Sequence, residues 1–70
     1  MRGNVKAAVE HYQVAIQMRP EFGRAHLDLG ATLADAGDVA GALPHLQKAA
    51  ASPEQSVRQE ATQILRELGR

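Results

Sequence analysis

Gly37-Asp38-Val39-Ala40-Gly41-Ala42-Leu43-Pro44-His45-Leu46-Gln47-Lys48-Ala49 rewrites, 34 residues further on, the stretch Gly3-Asn4-Val5-Lys6-Ala7-Ala8-Val9-Glu10-His11-Tyr12-Gln13-Val14-Ala15. Glycine, valine, alanine, histidine and glutamine recur at fixed places, and the apolar positions recur even where the residue changes. In the first copy Val5, Ala8, Val9, Tyr12, Ala15 and Ile16 fall at i, i+3, i+4, i+7, i+10 and i+11, the stripe of a half-buried helix. Val39, Ala42, Leu43, Leu46, Ala49 and Ala50 repeat it step for step. A fixed period of this length indicates a copied helix-turn-helix unit, stacked because each unit buries its apolar face only against a neighbour.

Working outward, Gly3 and Asn4 start the first helix and Pro20 stops it. A second helix is expected from about Arg24 to Ala36, with Leu29, Gly30 and Leu33 on one face. It has no strong N-cap, and Gly37 is placed to end it in a left-handed conformation. Asp38 caps the third helix. Pro44 cannot donate to the carbonyl of Ala40, so a loosened or late-starting first turn is expected there. Ser52-Pro53-Glu54-Gln55 predicts a fourth helix with an N-cap serine, proline at the first helical position and a capping-box glutamine. Its stripe is Val57, Ala61, Ile64, Leu65 and Leu68, with Gly69 at its end. The other side, Arg58, Gln59, Glu60, Thr62, Gln63, Arg66 and Glu67, is polar and of mixed charge, the pattern of a solvated face. Ala49-Ala50-Ala51 reads as the end of a good helix former.

Composition narrows the functional classes. Seventy residues make one small domain with a thin core, and Tyr12 and Phe22 are the sole aromatics, so that core is aliphatic. Thirteen alanines let helix axes approach closely. Without cysteine there is no disulfide, thiol nucleophile or cysteine-based zinc site. Eight basic and eight acidic residues, interspersed, give no field for a phosphate backbone, so no nucleic-acid partner is expected. No apolar run approaches the roughly 20 residues that span a bilayer, and Lys6, Glu10 and His11 interrupt what a secretory leader would keep apolar. His11 and His45 read as partly covered packing residues and His26 as an interior one. No histidine, carboxylate or hydroxyl set has catalytic or metal-ligand spacing, so neither a catalytic residue, a metal nor a cofactor is expected.

The two helices per 34 residues resemble the tetratricopeptide repeat. The family signature of an aromatic, Leu-Gly, a bulky residue, then Ala and a bulky residue is met by His26, Leu29-Gly30, Leu33, Ala42 and Leu46. Ala8, Tyr12 and Pro20 match the later half of a preceding repeat. His26 and Leu33 depart from the usual tryptophan and tyrosine, and Pro53 comes one residue early. The resemblance implies an all-α fold, a right-handed α-α superhelix of four antiparallel helices. It divides a single domain, 1–70, into the second helix of a preceding repeat (3–22), a complete repeat (23–53) and a C-terminal capping helix (53–69).

The same resemblance implies a non-catalytic scaffold that binds a protein or peptide segment in a concave groove. Its exposed groove residues here would be Arg24, Leu27, Ala31, Ala34 and Asp35. Some family members grip a peptide's terminal carboxylate there; Arg24 would help, whereas Asp28 and Asp35 would repel it. The helix from Asn4 to Met18 lacks a first helix before it, which is expected to leave apolar surface around Ala8, Tyr12 and Ala15 uncovered. A fragment of a longer repeat protein, or a homodimer through that helix, would account for this. The alternative function is thus a structural capping or self-association module without a foreign peptide ligand.

Overall fold

The computed structural model describes residues 3–69. They form four helices: α1 (Gly3–Met18), α2 (Gly23–Asp35), α3 (Val39–Ala50) and α4 (Gln55–Leu68). Consecutive helices pack together, α2 also reaches α4, and α1 touches α2 alone among the described elements. This is the all-α helical repeat that the periodicity predicts.

The core forms where α2, α3 and α4 converge. Leu27, Ala42, Leu46, Ala49, Val57 and Ala61 make one buried cluster, flanked by Leu33, Ala34, Ala50, Ile64, Leu65 and Leu68. Gly30 sets the approach of α2 to α3: a Cβ there would lie 2.7 Å from Leu46 Cγ. Leu46 therefore occupies the space that any other residue at position 30 would fill. Ala49 is fully buried, so the alanine run begins as a helix-helix contact; only Ala51 beyond it is an exposed helix end.

The turn between α2 and α3 follows the sequence closely. Gly37 has φ +92°. Its N–H donates to Ala34 O at 3.0 Å and the Asp38 N–H donates to Leu33 O at 2.8 Å, the paired bonds of a Schellman motif. Asp38 Oδ1 then accepts from Gly41 N at 2.9 Å, capping α3. That cap corrects the expectation for Pro44. The helix starts promptly at Val39 and runs through the proline. Ala40 and Pro44 are both exposed, so the carbonyl left without a helical donor faces water.

The start of α4 also differs from expectation. Ser52 is buried, and its hydroxyl accepts from Glu54 N at 3.1 Å, forming a tight local turn. Arg58 Nη1 donates to the carbonyls of Ser52 (3.2 Å) and Pro53 (2.9 Å). With both carbonyls satisfied by this side chain, Pro53 stays outside the helix. Gln55 becomes its first residue instead of a capping-box partner. Val57 and Ala61 are buried as predicted, while Thr62 on the polar side is half-buried.

Candidate functional site

The face that sequence reasoning selects is the outward side of α2. This helix has no side-chain cap at Phe22, as its sequence predicts, and it is held instead by packing on α1, α3 and α4. Of the five groove residues, Leu27 is not available: it is 2% exposed and belongs to the core cluster with Val57 and Ala61. Placing it in a groove overlooked that α4 covers this part of α2. Ala31 and Ala34 are half-buried, Ala34 against the core, and they form a low floor. Arg24 is half-buried and Asp35 exposed, at opposite ends of the helix.

Two acidic side chains outside the chosen five complete the site. Glu60 of α4 lies with its Oε2 3.5 Å from Arg24 Nη1, in an exposed pair worth about 0–1 kcal/mol. Asp28, one turn beyond Arg24, has its carboxyl pushed above the ordinary aspartate value. Burial is the main cause; the Arg24 charge pulls the other way and Glu60 adds to the rise. The strip thus holds three carboxylates, Asp28, Asp35 and Glu60, against one guanidinium that is already paired. Asp28 carries a local signal in the sequence, since it lies on the same face as Arg24. Glu60 carries none, because its position depends on the register between α2 and α4.

The second candidate surface is α1. Ala8, Tyr12 and Ala15 are each half-buried against α2. Val14 is 54% exposed and Met18 79% exposed further round the helix. His11 is exposed, contrary to its expected packing role, because no second helix reaches that side of α1. His26 is buried and His45 half-buried; their rings contact each other and Pro20 rather than a hydroxyl or carboxylate.

Between the end of α3 and α4 lies an open cleft of about 390 Å³, lined by Ala50, Arg58, Gln59, Thr62, Gln63 and Arg66. It brings together neither a nucleophile with a base nor paired acids, the minimum for acyl transfer or general acid-base hydrolysis. Among the described residues no three histidine, cysteine or carboxylate side chains cluster as metal ligands would. No helix of the structure is long and apolar enough to cross a membrane.

The family model described as tetratricopeptide repeat matches residues 1–67. No curated protein and no solved structure matches the chain significantly. With the repeat, the stacked helices and this match in agreement, the chain belongs to the tetratricopeptide repeat family, whose repeats are typically non-catalytic and generally mediate protein-protein interaction.

Proposed function

We propose that the chain is a non-catalytic interaction scaffold that takes a peptide segment of a partner protein along the outward face of α2. The observation carrying this reading is the charge and relief of that face. Half-buried Ala31 and Ala34 leave room for an extended backbone. Asp28, Asp35 and Glu60 outnumber Arg24, so the segment it suits carries lysine or arginine rather than a free carboxylate. Asp38 and α4 bound the strip, and the polar side of α4 serves as a solvated flank.

The test compares an oligolysine and an oligoglutamate peptide of equal length by amide chemical-shift mapping. The lysine peptide is expected to shift amides between Arg24 and Asp35, and Asp35→Lys to weaken that response without unfolding the chain. No shift on α2, or equal shifts with both peptides, would refute the reading.

A second reading is favoured by α1. The positions that are sealed on α3 are half-covered at Ala8, Tyr12 and Ala15, so pairing with another copy would bury them. Light scattering over a wide concentration range decides it: a dimer abolished by Tyr12→Glu supports self-association, and a monomer throughout rejects it.

A further inference from the structure

His26 stands in the first turns of α2 at 7% exposure, and both of its ring nitrogens are engaged. Nε2 lies 2.7 Å from the Pro20 carbonyl oxygen in the turn between α1 and α2. A carbonyl only accepts, so Nε2 carries a hydrogen and, in the neutral ring, Nδ1 presents a lone pair. That Nδ1 lies 3.2 Å from Nδ1 of His45 on α3. The ring centroids are 5.4 Å apart with planes inclined by 27°. The centroid separation exceeds the nitrogen separation by about the width of an imidazole, so the rings meet end-on. End-on lone pairs aim at each other instead of converging on a metal ion, and one proton lies between them. His45 Nδ1–H donates to His26 Nδ1, and His26 Nε2–H donates to Pro20 O.

This wiring has a fixed proton capacity. An added proton can settle on His45 Nε2, which bonds to no protein atom among the described residues, and leave the bond between the rings intact. The next must go on His26 Nδ1. There it would set two N–H groups and two positive charges against each other, with no acceptor between them. We propose that the His26–His45 pair is a pH-responsive latch joining the α1–α2 turn to α3, which holds one added proton and opens when acid imposes a second.

Burial first, and then the neighbouring His26, hold His45 below the ordinary histidine value. The other charged groups of the adjoining elements are Arg24 and Asp28 on α2, Lys48 one turn along α3, and Arg19 and Glu21 in the α1–α2 turn. None hydrogen-bonds either ring. A base whose folded value is depressed makes no contribution above the unfolded value of about 6.5. Below it the unfolded chain takes up protons that the native pair refuses, so stability falls as pH falls. The end released is that of α1, which rests on α2 alone and whose exit turn His26 holds.

The test is urea unfolding between pH 7.5 and 4.5 with NMR titration of the imidazoles in a His11→Gln background, which leaves two ring signals. His45→Asn is the comparison. Its amide donates to His26 Nδ1 at neutral pH and can present its oxygen once His26 is protonated. Below about pH 6 the folding constant of the parent is expected to drop relative to His45→Asn by up to tenfold per pH unit for each proton refused. The two rings together should take up one proton before unfolding. If both rings load fully in the folded chain, the latch is refuted; parallel pH profiles of parent and variant would refute it equally. Should His45→Asn fail to fold, the proton count of the parent decides alone.

Discussion

Helices α1 and α3 carry the same stripe and meet different fates. On α3, Ala42, Leu46 and Ala49 are all 0% exposed, because α2 and α4 close on two sides. On α1 the matching Ala8, Tyr12 and Ala15 are only half-buried, since α2 is their sole neighbour. A hydrophobic stripe therefore states what a helix needs buried, and the number of neighbours sets how much of it is. In a stack of repeats, where stability is roughly a sum over units and interfaces, α3 is an interior element and α1 an end.

The comparison breaks most sharply at its central pair. Leu46→Ala empties a fully buried site and should cost about 2–5 kcal/mol in urea unfolding. Tyr12→Ala, at the matching place on α1, should cost less than half as much. Equal losses would mean that the two helices are equally committed to the core. Gly30→Ala should be destabilising by about 1–3 kcal/mol although alanine is the better helix former. The new methyl would collide with Leu46. Combining it with Leu46→Ala should give a loss smaller than the sum, as expected for residues that share one space.

These contacts also mark how far the sequence was readable. The stripes, Gly37, Asp38 and the Leu29-Gly30 pair are local patterns, and they fixed the helices and the α2–α3 turn to within a residue. What depends on register between helices was not legible. Leu27 was placed in a groove because helix periodicity alone says nothing of α4 lying over it. Glu60 joined the candidate site only through that same contact. His26 was rightly taken as interior, but its bond to His45 requires two helices at a known height. Ser52 and Pro53 gave a sound capping signal that lost to Arg58, which satisfies both turn carbonyls from inside the helix.

Smaller effects sharpen the comparison at the surface. Gly37→Ala should cost about 1 kcal/mol, since φ +92° is strained for any residue with a Cβ. Val14→Lys, which installs on α1 the lysine that α3 carries at Lys48, should leave the stability of the monomer nearly unchanged and reduce any self-association. Asp28→Asn is the mildest change. A carboxyl held above its unfolded value favours folding below that value and loses the advantage as pH rises through the folded one. The amide should thus stabilise slightly at pH 7 and show no gain near pH 3.5, measured by thermal unfolding.

Native-state hydrogen exchange of the dilute monomer tests the central contrast directly. The amides of Ala42, Leu46 and Ala49 should exchange only through global unfolding, while those of Ala8, Tyr12 and Ala15 exchange sooner through opening of α1 alone. Equal protection of both helices at a concentration where the chain is monomeric would contradict the account.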